Sequence, residues 1–129
     1  MKFNIEQFYK DMTAKKDSEL RAYFNPSAII CWHDSNEQFT LDEYIKVNCA
    51  FPSSWTATIE RVEQYAKGLI VTAQHDNAQE KISVKHVAFI ELNTDGKITR
   101  FDEYYVAMEE VPKWRSEMGL GRPINKEEL

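Results

Sequence analysis

The chain has 129 residues, 43% of them hydrophobic, which suits one domain with its own core and is short for two. Sixteen basic against twenty-one acidic residues leave a net charge of -5, which excludes a nucleic-acid binder that works through a basic face. No apolar run approaches a membrane span, and Met1 to Glu6 carries acid early with no apolar signal core. The expectation is therefore a cytoplasmic protein with no leader and no membrane partner. Cys31 and Cys49 form neither a disulfide framework nor a metal spacing.

In chain order, Asn4 is suited to cap a first helix, with Gln7 at the reciprocal capping-box position and Phe3 and Phe8 at the staple positions. Ile5, Phe8, Tyr9 and Met12 then share one face. Asp17 reads as a second cap, for a short helix carrying Leu20, Tyr23 and Phe24 that Asn25-Pro26 ends. Ala28 to His33 is a short strand. Thr40-Leu41-Asp42-Glu43 is a capping box opening a third helix, with Leu41, Tyr44, Ile45 and Asn48 on one side and Pro52 as its stop.

From here the pattern changes period. Trp55 to Gln64 is β-branched and alternating, Lys67-Gly68 turns the chain into Leu69 to Asp76, and a polar turn leads into Ile82 to Leu92. Thr94-Asp95-Gly96 is a hairpin turn into the last strand, Lys97 to Val106. Helices first and strands afterwards predict an α+β fold, the helices on one face of a mostly antiparallel sheet. Residues 1–107 form this domain. Residues 108–129 read as an extended tail with at most one helical turn, at Lys113 to Met118, where Trp114 and Met118 dock on the domain or on a partner subunit. The acidic pairs Glu109-Glu110 and Glu127-Glu128 read as solvated surface.

This order of elements, together with the closing segment from Asp95 to Tyr105, resembles the nuclear transport factor 2-like superfamily and its SnoaL-like members, over about residues 3–106. The resemblance implies a cone: a strongly bent, mixed, mostly antiparallel sheet wrapped around three N-terminal helices, with an apolar pocket inside. It also implies a homodimer. Its relatives include ketosteroid isomerases, polyketide cyclases, limonene-epoxide hydrolases and non-catalytic domains, so activity has to come from the site.

On the last strand Thr99, Phe101, Glu103 and Tyr105 share a face, which the resemblance turns toward the cavity. A desolvated carboxyl there is a candidate proton shuttle. His86 shares a face with Ala88, and the resemblance places Ala88 where ketosteroid isomerases carry an acidic oxyanion-hole group. His86 is thus a candidate hydrogen-bond or proton-transfer partner. Tyr9 resembles the carbonyl-polarising tyrosine of those isomerases, and their base falls at His33 or Asp34. Which of Trp32, His33 and Asp34 points inward is open, because one residue of slip flips the face. Against limonene-epoxide hydrolases, Glu103 matches the final acid and Asp76 the first, but Gln74 replaces the arginine between them. A neutral amide cannot balance two carboxylates as a guanidinium does. Glu103 also reads as a solvated or hydrogen-bonded structural residue, and His86 and Tyr9 as packed core residues.

No paired metal-ligand motif, Gly-rich phosphate loop or nucleophile elbow is present, so neither a metal nor a cofactor is expected. One reading is a cofactor-free isomerase, cyclase or hydrolase acting on a small apolar or cyclic molecule. Glu103 is its acid/base, His86 and Tyr9 assist, and Trp32, Tyr44, Trp55, Gln74, Phe101 and Tyr105 form the binding wall. The other reading is a non-catalytic ligand-binding or dimeric scaffold domain, its cone plugged by the same aromatic rings.

Overall fold

The computed structural model describes residues 3–124, so Met1-Lys2 and the acidic end at Glu127-Glu128 lie outside the described residues. Helix α1 (Ile5–Thr13) begins as its sequence predicts. The Asn4 side chain accepts from the Gln7 backbone N–H at 3.0 Å, and the Phe3 and Phe8 rings pack 5.3 Å apart. The reciprocal arm of the box is absent, because the Gln7 amide donates to buried Asp11 instead.

Helix α2 (Asp17–Arg21) departs from expectation at both ends. Lys16 is the N-cap and Asp17 the first helical residue, where its charge favours the positive helix end. The helix stops at Arg21, and strand β1 (Phe24–Trp32) already includes Asn25-Pro26. Pairing of β1 to its neighbour breaks between Phe24 and Ile29. Pro26, with no N–H to give, sits in that gap. A short strand, β2 (Glu37–Thr40), was not predicted. Four residues with one buried side chain, Phe39, are too few to show an alternation.

Helix α3 (Leu41–Ala50) carries the full capping box: Thr40 Oγ1 accepts from Glu43 N–H, and Glu43 Oε1 accepts from Thr40 N–H. Leu41, Tyr44 and Ile45 are buried, and Asn48 Nδ2 donates to the Met12 carbonyl at 2.9 Å, tying α3 to the end of α1.

Strands β3 (Thr56–Tyr65), β4 (Gly68–Asn77), β5 (Ile82–Leu92) and β6 (Ile98–Ala107) follow. The sheet order is β2-β1-β6-β5-β4-β3, with β1 and β6 parallel and every other pair antiparallel. This is the expected mixed, mostly antiparallel sheet, curled over the helices. Irregular pairings in β1, in β3 between Ile59 and Arg61, and opposite Glu91 and Leu92 bend it. The last of these skips Thr99, so Ile98 is fully buried beside Phe101 rather than facing outward with Arg100, as strict alternation predicts.

The core fills the closed end of the cone. Phe8 is fully buried and its ring meets Phe24 and Phe101 at 5.8 and 5.4 Å, closed over by Ile30, Val71, Ala88 and Ile90. Past β6, α4 (Lys113–Ser116) is a single turn that buries no residue, and Trp114 and Met118 are 66% and 57% exposed. They do not dock on their own domain. Among the described residues no helix is long and apolar enough to cross a membrane.

Candidate functional site

A cavity of about 240 Å³ opens at the wide end of the cone. The ends of α1 and α3 contribute Met12, Thr13, Lys15, Asn48 and Phe51. The end of β1 contributes Trp32 and Asp34, the segment before β3 contributes Trp55, and the strands contribute His75, Val84 and Tyr105. The mouth is held by polar anchors. Lys15, in left-handed backbone at φ 59°, places its ammonium on the carbonyls of Phe51 and Ser53. Buried Asn77 donates to Ser53 Oγ at 2.7 Å.

Strand geometry settles the question left open at the end of β1. Trp32 faces inward and Asp34 reaches the cavity mouth, while His33 goes to the opposite side of the sheet. There His33 Nε2 lies 2.8 Å from Asp102 Oδ1 and its ring stacks on Tyr104 at 4.2 Å. Cys31, His33 and Asp102 bring their ligating atoms within 4.8 Å of one another on this outer face. A cation already fills the place: Arg100 donates to both Asp102 oxygens and to Cys31 Sγ. Burial works to raise the Asp102 carboxyl, and the bonds from Arg100 and His33 outweigh it, leaving it below the ordinary value.

Glu103 is 1% exposed and stands one layer behind the cavity wall. Trp32 Nε1 donates to its Oε2 at 2.8 Å and Tyr105 Oη to its Oε1 at 2.7 Å. Both rings that hold it line the cavity; the carboxylate does not. Burial raises the Glu103 carboxyl to about 7, against the lowering effect of those two bonds, with the charge of Asp34 adding to the rise.

Tyr9 and His86 form a second buried pair, Oη to Nε2 at 2.7 Å, also behind the wall. Burial pushes the Tyr9 hydroxyl well above its ordinary value and His86 down to about 3, so both are neutral. Of the predicted wall residues, Trp32, Asp34, Trp55 and Tyr105 line the cavity. Phe101 and Tyr44 are buried in the core below it. Gln74 lies elsewhere. Burial on β4 falls on Val71, Ala73, His75 and Asn77, so Gln74 and Asp76 face away from the helices, and Gln74 Nε2 donates to Asp76 Oδ1. The correspondence with limonene-epoxide hydrolases thus fails in direction as well as in residue type.

Met12, Thr13, Lys15, Asn48, Phe51, Val84 and His75 line the cavity without having been expected there, and of these His75 is the buried ionisable one. The alternation Val71, Ala73, His75 carries the signal, one residue out of phase with the Gln74 and Asp76 positions that the limonene-epoxide hydrolase resemblance picks out. His75 is 5% exposed, and its ring centroid lies 4.8 Å from His86 and 5.5 Å from Tyr105. Two histidines that look scattered in sequence are thus neighbours, His75 in the wall and His86 behind it. Burial lowers His75 to about 4, with the charge of Asp76 working against it, and its Nε2 has no hydrogen-bond partner among the described residues.

No family model and no curated protein matches this sequence. Solved structures do. A candidate ketosteroid isomerase from Kribbella flavida aligns with 95% of this chain and 88% of its own, at TM-score 0.74 and 18% identity. An NTF-2 like protein of unknown function from Burkholderia xenovorans aligns at 0.72 and 15% identity, over 94% and 92% of the two chains. A candidate SnoaL-like polyketide cyclase from Shewanella denitrificans aligns at 0.67 and 11% identity, over 80% and 91%. Curled six-stranded sheet, helices on its inner face and these neighbours agree: the chain has the nuclear transport factor 2-like α+β cone fold.

Proposed function

We propose that this protein encloses a small, largely apolar molecule in the cavity and moves a proton on it without a cofactor, as an isomerase, cyclase or hydrolase does. The observation that carries this reading is Glu103: a fully buried carboxyl whose two oxygens are held by the rings that line the cavity. The substrate touches Tyr105, not Glu103. A substrate proton passes to Tyr105 Oη while the tyrosine's own proton passes to Glu103 Oε1, and the reverse transfer returns a proton to product. With its carboxyl poised at about 7, Glu103 accepts and returns a proton near neutral pH. Tyr105 alone is a poor base, since burial raises its hydroxyl well above 10.

The test is deuterium exchange from D2O into the acidic C–H of a cyclic enone or 1,3-diketone, followed by NMR. Glu103→Gln and Tyr105→Phe should each slow it by roughly 100- to 10,000-fold, the usual contribution of general acid–base catalysis. Exchange that is equal in wild type and both variants overturns the reading. One observation favours a non-catalytic binding domain instead: both Glu103 oxygens are already occupied. That alternative predicts binding of the same probes with no exchange above the rate in buffer.

A further inference from the structure

Resting on the proton-transfer reading above, we infer that Trp32 is the positioning residue of this site: it reserves one oxygen of Glu103, so that the carboxyl carries its proton only on the other, the one that meets Tyr105. Trp32 and Glu103 are Cα partners across the parallel pair of β1 and β6, and the two side chains meet on the inner side of the sheet. The indole is fixed by its own packing, edge-on to Phe39 and Tyr44 at 4.9 and 6.4 Å between ring centroids.

An indole N–H donates and never accepts. Trp32 Nε1 lies 2.8 Å from Glu103 Oε2. A proton on Oε2 would set two hydrogens against each other across that gap, so Oε2 stays an acceptor in both protonation states. Oε1 differs, because its partner, Tyr105 Oη at 2.7 Å, both donates and accepts. When Glu103 is ionised, Tyr105 donates to Oε1. When Glu103 is protonated, Oε1–H donates to Tyr105, and the tyrosine's own proton is released for another acceptor. The bond reverses without either side chain moving, and every proton enters and leaves Glu103 through Tyr105. A carboxyl with both oxygens bonded is thus still open to protons, but at one oxygen only.

The same bond sets how strongly Glu103 holds its proton, since a donor fixed on a carboxylate stabilises the charged form. Among the described residues no cation forms an ion pair with Glu103. The ionisable groups that act on it are Tyr9 from α1, Tyr44 from α3, Asp34 after β1 and Tyr105 on β6. His86 on β5 and His75 on β4 lie beside Tyr105 and are neutral. Of all these Asp34 alone is charged, and it disfavours the anion, as burial does. The hydrogen bonds from Trp32 and Tyr105 are what favours it.

The experiment follows the Glu103 carboxyl carbon by NMR between pH 5 and 9, in protein labelled with carbon-13 glutamate, the signal being the one lost in Glu103→Gln. Trp32→Phe keeps an aromatic ring and removes the donor. Its Glu103 midpoint should lie about one pH unit or more above that of wild type, the equivalent of one hydrogen bond to a charged group. Deuterium exchange in the same variant should fall about fivefold at pH 7 and recover at pH 9, which lost packing alone would not do. In wild type the Trp32 indole proton should titrate with the midpoint of the Glu103 carbon and stay fixed in Glu103→Gln, a measurement that needs no Trp32 variant. An unmoved midpoint in Trp32→Phe, or an indole proton that does not follow Glu103, overturns the inference. Glu103-dependent exchange can then still stand, so the two readings fail separately. If the midpoint moves but wild type exchanges no faster than buffer, the placement of the proton on Oε1 stands and the proton-transfer reading falls.

Discussion

At the scale of the residue, the cavity wall and the layer behind it hold a set of buried ionisable groups kept away from their ordinary protonation. The folded state keeps a proton on Glu103 up to about pH 7, whereas the unfolded chain releases it near 4.5. Its contribution to stability is therefore greatest below pH 4.5, falls as pH rises to about 7, and is constant above that. The histidines run the other way. His75 and His86 stay neutral in the fold down to about 4 and 3, while the unfolded chain takes up protons near 6.5, so stability falls as pH drops below 6.5. The two slopes oppose each other between pH 4.5 and 6.5, and only a difference between proteins separates them. We expect the urea-melting free energy of Glu103→Gln, relative to wild type, to shift in the variant's favour by up to roughly 3 kcal/mol between pH 4.5 and 7. A difference that stays flat with pH would show that Glu103 titrates as an ordinary glutamate.

At the scale of the element, the site depends on register. The turn joining β3 to β4 brings Gly68 against β5, where an added Cβ would lie 1.9 Å from the Ile90 carbonyl oxygen. Backbone cannot yield as a side chain can, so Gly68→Ala forces β4 and β5 apart at the end where their pairing begins, Gly68 with Glu91. We expect a loss of about 3 kcal/mol or more in chemical denaturation, among the large effects of single substitutions. The loss should come with weakened amide protection along Leu69 to Ala73. Unchanged protection there would mean that the strand slides to relieve the clash. His75 and Tyr105 face the cavity only while β4, β5 and β6 keep their alternation.

At the scale of the molecule, one chain leaves apolar surface uncovered. Tyr65, Phe89, Tyr104 and His33 form a row of rings across the outer face of the sheet, with successive centroids 6.1, 6.3 and 4.2 Å apart. Val106 near the end of β6 is exposed, and beyond the strand the arm adds exposed Met108, Val111, Trp114, Met118 and Leu120. Apolar surface on this scale marks an interface. We propose that two copies pair through the outer face, with the arm of each lying on the other. In sedimentation equilibrium the chain should run at twice its 15.1 kDa mass, and Phe89→Arg should run as a monomer with an unchanged circular-dichroism spectrum. A wild type that sediments as a monomer at 100 µM would rule the pairing out.

What the sequence by itself determined was local. Asn4 and Thr40 mark helix starts because a cap needs only a side chain and the next turn of backbone. The bounds of β5 follow from its own residues, and those of β3, β4 and β6 shift by a residue or so, since period-2 patterning and turn chemistry are carried by neighbours in sequence. Element order gave the α+β class, and the cone came with the resemblance carried by that order and the closing segment from Asp95 to Tyr105. What only tertiary structure decided was direction and depth. Parallel pairing with β6 and the break after Phe24 turned Trp32 inward and His33 outward. A skipped residue at Thr99 buried Ile98, and curvature placed Glu103 behind the wall rather than in it. Facing depends on register and on bulges, and these are fixed by strands far apart in the chain, so no local pattern contains them. His75 stands at that boundary: its side of β4 was written in the alternation, but its place beside His86 and Tyr105 exists only where the strands meet.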